Sequence, residues 1–173
     1  MSVGSVDQPP AAARPRLPLA RLDRLERLAT FYARVALGAA FLSAVAGRFG
    51  LWSGKSPSTA FANFTRYAAE VNSFMPARTI PFLAWAATAA ELTLGVSLLA
   101  GIWPRRVALA SAVLLALFGT AMAISFGIQS PLDYSVFSAS AAALLLALQQ
   151  PDDSGARRTA RAAASRDRSE ERP

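Results

Sequence analysis

The 173-residue chain contains no cysteine and no histidine, and its one lysine is Lys55. Without thiols or imidazoles there are no disulfides, no thiol redox centre, no cysteine-held iron–sulfur cluster, no histidine-ligated haem and none of the usual zinc sites. Any redox chemistry the protein serves must use an electron carrier held by another molecule. Ser43, Ser97, Ser111, Ser138 and Ser140 lie inside apolar helical stretches with no histidine to activate them, which excludes a serine-hydrolase triad. The chain also lacks a phosphate-binding loop and metal-ligand spacing. Apart from Lys55 its positive charge is all arginine, and the net +7 is concentrated beside apolar runs. Such placement marks membrane orientation and argues against a nucleic-acid partner.

Hydrophobic residues make up 53% of the chain although both ends are polar, so the middle is far more apolar than a soluble domain requires. Glu91 is the only charge between Thr79 and Trp103. A run of that length reads as a membrane span, since about 20 residues cross a hydrocarbon core of roughly 30 Å. A carboxyl near the midplane costs on the order of 3 kcal/mol to insert and is expected to face a protein interior or a wet cavity.

Residues 1–18 hold Pro9, Pro10, Pro15 and Pro18 among small and polar residues and read as a disordered tail. From Leu19 to Ala29, leucines at three-residue spacing alternate with Arg21, Arg24 and Arg27. This fits either a short helix on an anionic leaflet or a helical extension of the first span. Four spans follow, at about 30–52, 81–103, 107–127 and 131–148, and together residues 19–150 form one membrane domain. Arg34 and Arg48 flank the apolar centre of the first span and are expected to snorkel. Ala44 to Ala46 would also suit a signal-peptide cleavage site, but the basic stretch before it is too long for one.

The loop between the first two spans predicts an amphipathic helix, with Phe61, Phe64, Ala68, Val71 and Met75 on its apolar stripe. Ser58 or Thr59 is the expected cap, and Asn63, Arg66, Tyr67 and Glu70 form the polar face, with Arg66 and Glu70 spaced as a surface ion pair. Asp133 is expected in the first turn of the fourth span as a helix cap. Residues 151–173 carry 11 charges and read as a solvated tail.

Small residues at helical spacing predict the packing. Ala84, Ala87, Thr88, Glu91 and Gly95 share a face of the second span, Ala36, Ala40 and Ala44 one of the first, and Ala108, Ala112, Ala116, Thr120 and Ala123 one of the third. The expected fold is all-α, a membrane four-helix bundle with an external amphipathic helix between the first and second spans. Counted by depth from the outer face, Asp133 is the easier partner for Arg48, and Glu91 the alternative, about 9 Å deeper.

Three stretches, RVALGAAFLSAVAGRFGLW, AELTLGVSLLAGIWPRRVALASAVLLAL and SPLDYSVFSASAAALLLAL, resemble the DoxX family of small four-span bacterial membrane proteins, to which MauE-like proteins are related. Glu91, Gly95, Gly101 and Arg105 match that family's E-x-x-x-G-x-x-x-x-x-G-x-x-x-R pattern. Arg48 stands where many members place a lysine. The resemblance implies an inner (plasma) membrane protein that serves an oxidoreductase system, binding quinone or holding a catalytic partner, with no established activity for most members. Three functions stay open: a quinone-interacting accessory subunit that uses Glu91 as proton acceptor with Arg48 as charge partner; a small carrier or export helper; and a structural membrane protein, alone or as a homo-oligomer, with Glu91 neutral and bonded to Thr88 or Thr93.

Arginines cluster before the first span, between the second and third, and after the fourth, so positive-inside places both termini in the cytoplasm. A cysteine from Ser58→Cys should then react with an impermeant thiol reagent on intact cells, and one from Ser165→Cys should not. Labelling at position 165 from outside would refute this topology.

Overall fold

The computed structural model describes residues 19–150; the expected tails at 1–18 and 151–173 lie outside the described residues. Helix α1 runs over Leu19–Arg48, α2 over Pro57–Val71, α3 over Ile80–Ala100, α4 over Pro104–Phe126, α5 over Gln129–Asp133 and α6 over Val136–Gln149. A single 3-10 turn, Ala77–Thr79, leads into α3. Among the described residues there are no strands.

Three helical stretches, Arg21–Arg48, Ala77–Ala100 and Pro104–Phe126, are long and apolar enough to cross a membrane. Large apolar side chains such as Phe82, Val113, Ile124 and Leu145 point outward from these helices and from α6. That much exposed hydrocarbon surface is foreign to a water-soluble monomer.

The first helix settles one of the open alternatives. Its 30 residues are continuous, so the leucine–arginine segment is an extension of the span rather than a separate surface helix. At 1.5 Å per residue the helix is about 45 Å long, more than a hydrocarbon core needs. It ends at Arg48, short of Trp52. Gly50 turns the chain with φ +83°, and the Trp52 indole N–H folds back to donate to the Ser43 carbonyl at 3.0 Å.

Helix α3 stops at Gly101, whose φ of +70° needs no Cβ penalty. The Gly101 N–H bonds to the Leu98 carbonyl at 3.3 Å and the Ile102 N–H to that of Ser97 at 3.1 Å, closing a Schellman cap. Pro104 then opens α4 in the first helical turn, where its missing N–H costs nothing. Helix α4 therefore begins one turn before the expected Val107. Arg105 and Arg106 fall inside that turn.

The expected fourth span is broken. Ser135 adopts φ +54° and separates the five-residue α5 from the 14-residue α6. Helix α6 rises about 21 Å, short of a roughly 30 Å core. Asp133 consequently ends α5 instead of capping a long helix, and its side chain is exposed. No glycine or proline marks the break, which is why the continuous apolar pattern concealed it.

Helices α1 and α3 lie antiparallel, as do α4 and α6, and α1–α6 and α3–α4 contacts join the two pairs. The α1–α3 crossing is close because glycines face each other. A Cβ on Gly38 would stand 2.9 Å from Leu99 Cγ and 3.1 Å from the Gly95 carbonyl oxygen; one on Gly95 would stand 3.0 Å from Leu42 Cδ2. The expected alanine stripe of α1 is wrong. Ala36, Ala40 and Ala44 are exposed, while Leu37, Gly38, Phe41 and Val45 are buried. The seam follows the residues that permit backbone approach and fill the core, and alanines are spread around this helix too evenly to mark it. The α3 stripe does face inward, with Ala84, Thr88, Glu91 and Gly95 buried. On α4, Ala108 and Ala112 are buried against α6, whereas Thr120 is exposed.

If close approach at this crossing holds α1 to α3, Gly38→Ala should lower stability by about 1–3 kcal/mol, because the backbone carbonyl it meets cannot move aside. Ala40→Val, on the exposed face of the same helix, should change it by less than about 0.5 kcal/mol. Thermal melts of both variants in one detergent test the contrast; equal loss would refute the assignment.

Candidate functional site

Helix α2 is set by Ser56, whose hydroxyl oxygen accepts from the Thr59 N–H at 3.3 Å, with Pro57 in the first turn. The cap is thus two or three residues earlier than expected, because Pro57 suits the first helical position. The predicted stripe largely holds: Ala68 and Val71 are buried and Phe61 and Phe64 half-buried, but Met75 lies beyond the helix and is exposed. Phe61 packs on Trp85 of α3 with ring centroids 4.4 Å apart and on Phe49 at 6.0 Å. At the far end the Ser125 hydroxyl of α4 donates to the Val71 carbonyl at 2.6 Å. These contacts seat α2 across the end where α1 stops and α3 begins.

Under α2 sits the Arg48 side chain. Its Nη2 donates to Glu91 Oε1 at 2.6 Å and its Nη1 to the Thr88 hydroxyl at 3.1 Å. The Thr88 hydroxyl in turn donates to the Ala84 carbonyl at 2.8 Å. The guanidinium carbon lies 3.9 Å from the centroid of the Phe64 ring, a cation–π contact. The paired side chains are only 10% and 3% exposed. Glu91 Oε2 is buried and has no hydrogen-bond partner.

Arg48 therefore pairs with Glu91, not with Asp133. Taking the Gly38–Gly95 crossing as a common level, Arg48 is ten residues further along α1 and Glu91 four residues back along α3, about 9 Å apart in height. Cα–Cβ bonds lean toward the N-terminus of their own helix. In an antiparallel pair Arg48 leans down and Glu91 leans up, so the two side chains close the gap directly. Counting depth alone left out this lean. Asp133 is also on the wrong element, since α5 packs on α4 and α6.

The ion pair forms part of the wall of a cavity of about 450 Å³. Helix α2 contributes Phe64, Tyr67 and Val71, α3 contributes Ala84 and Ala87, and α4 contributes Leu117 and Phe118. The alanines leave the space and the larger residues enclose it, so the lining is apolar except for the pair, Tyr67 and Asn72. Burial, with smaller contributions from Tyr134 and Glu70, pushes the Tyr67 phenol above its ordinary value and keeps it protonated. Among the described residues no cluster of three or more carboxylates forms a metal site. The chemistry offered is one ion pair with a free acceptor.

Of the other residues singled out from sequence, Arg66 and Glu70 are exposed and form no ion pair with each other. Thr93 donates to the Ala89 carbonyl at 2.8 Å and does not reach Glu91. Neither threonine supplies a hydrogen to Glu91, whose bonded partner is Arg48 instead. Tyr67, placed on the polar face, turns to the cavity; its position three residues after Phe64 and four before Val71 carried that signal. Arg34 does not snorkel freely. Its Nε and Nη2 donate to the Leu98 carbonyl at 3.1 and 3.0 Å, tying α1 to the C-terminal end of α3. Comparison of the chain with protein-family models, curated proteins and solved structures gives no match in any of the three.

Breaking the pair from the arginine side leaves a buried charge without a partner. Arg48→Ala should cost about 3–5 kcal/mol, and the double substitution Arg48→Met with Glu91→Leu should recover most of it. Asp133→Asn should be additive with Arg48→Ala in a double-mutant cycle. Coupling between positions 48 and 133 in melts of the four proteins would refute the pairing.

Proposed function

We propose that this is a small DoxX-type membrane protein in which α1, α3, α4 and the broken α5–α6 segment form one bundle with both ends in the cytoplasm. Its cavity takes a quinone-type molecule from the bilayer on behalf of an oxidoreductase partner. The observation that carries this reading is a buried ion pair, with an unpartnered carboxylate oxygen, in the wall of a largely apolar space of about 450 Å³. That volume lies in the range of small-molecule sites. The apolar lining suits a ligand that dissolves in lipid, and Glu91 offers the one group able to receive a proton. The absence of cysteine and histidine assigns electron transfer to the partner.

A protein that only braces its neighbours would need no such space beside a buried charge. Organic extraction of the protein purified from quinone-containing membranes in mild detergent should yield quinone approaching one equivalent. Ala87→Phe, which fills part of the cavity, should lower that yield severalfold at unchanged abundance. A quinone-free wild-type protein, or an Ala87→Phe protein with the wild-type yield, would refute the proposal. Flux of a polar solute through proteoliposomes would instead favour a carrier.

A further inference from the structure

The Glu91 carboxylate has one oxygen satisfied and one not. Oε1 accepts from Arg48 Nη2 at 2.6 Å, while Oε2 is buried without a partner. The near donors are committed elsewhere: Arg48 Nη1 points to Thr88, and the Thr88 hydroxyl donates to the Ala84 carbonyl. The guanidinium meets the carboxylate through one nitrogen rather than as a two-pronged fork, because its second nitrogen goes to Thr88 and its face rests on Phe64. An ion-paired carboxylate can only accept hydrogen bonds. A buried acceptor left empty is unfavourable, and a ligand that fills it gains both its own bond and relief of that orphan.

We infer that the cavity selects ligands by a hydroxyl donor directed at Glu91 Oε2: its class is the membrane-soluble phenols, reduced quinols among them, in preference to molecules of the same shape that only accept hydrogen bonds. This rests on the cavity being a ligand site, as proposed above, and adds the sense of the hydrogen bond. It implies a preference for the reduced over the oxidised member of a quinol–quinone couple, since the oxidised ring carries carbonyl acceptors and no O–H. An O–H held against Oε2 also lies on a direct path for transfer of its proton to the carboxylate. Aromatic walls from Phe64 and Phe118 suit a ring, and the alanines of α3 leave room for it.

The test uses the full-length protein in lipid nanodiscs and two probes of nearly equal size, 4-pentylphenol and its methyl ether, 1-methoxy-4-pentylbenzene. Equilibrium dialysis against protein-containing and empty nanodiscs separates site binding from lipid partitioning. The wild-type protein should bind the phenol about tenfold more tightly than the ether, the ratio expected from one buried hydrogen bond to a charged group. Glu91→Gln should bring the ratio close to one, because the amide can donate as well as accept. The double substitution Arg48→Met with Glu91→Leu, which removes the charge without leaving a partner stranded, should do the same. Equal affinities in the wild-type protein, or a preference for the ether, would overturn the donor inference while leaving the cavity as a binding site. Binding of neither probe would instead remove the cavity reading on which the inference depends.

Discussion

The Arg48–Glu91 ion pair is the constraint around which the rest is arranged. Two charges withdrawn this far from water are tolerated only when geometry and additional contacts offset their desolvation. Here the geometry comes from the backbone. Gly38 and Gly95 let α1 and α3 approach closely, and the antiparallel direction makes an arginine near one end lean toward a carboxylate nearer the middle. A parallel pair with the same residues would lean both side chains the same way and leave their height difference unclosed. The Arg34 bonds to Leu98 at the other end hold the register that the pair requires.

Helix α2 completes the site from above. Its aromatic stripe places Phe64 against the guanidinium and Phe61 against Trp85, so one set of rings both anchors the helix and covers the charge. Seating α2 and shielding Arg48 are thus the same event. The cavity is what remains when this cover meets a wall of alanines on α3 that cannot fill the space.

Much of this was legible in the sequence, for identifiable reasons. Helix periodicity put Glu91 on the inward face of α3, because Ala84, Thr88 and Gly95 share its side. Proline and glycine marked the α3–α4 turn to within one helical turn. Three things were not legible. The seam of α1 was hidden because its alanines recur on every side, and only the opposing helix determines which face is used. The break at Ser135 was hidden because the left-handed residue there is a serine and not a glycine. The partner of Arg48 was misjudged because height along the bundle is a one-dimensional measure, whereas side chains lean and helices have neighbours. Each miss is a tertiary effect overriding a local signal.

The residue at position 48 also bears on the proposed DoxX-type reading, because the resemblance behind it places lysine there in many family members. Arg48 holds three partners at once: a carboxylate oxygen, a threonine hydroxyl and an aromatic face. A planar guanidinium can do this because its donors lie in the plane and its face is free to stack; an ammonium is a compact point charge that cannot keep both arrangements. A lysine here would preserve the charge balance with Glu91 and free the Phe64 ring, and with it part of the hold on α2. The choice of arginine therefore ties the state of the carboxylate to the seating of the covering helix. Glu91 is thereby coupled, through the one side chain of Arg48, to the helix that covers the cavity.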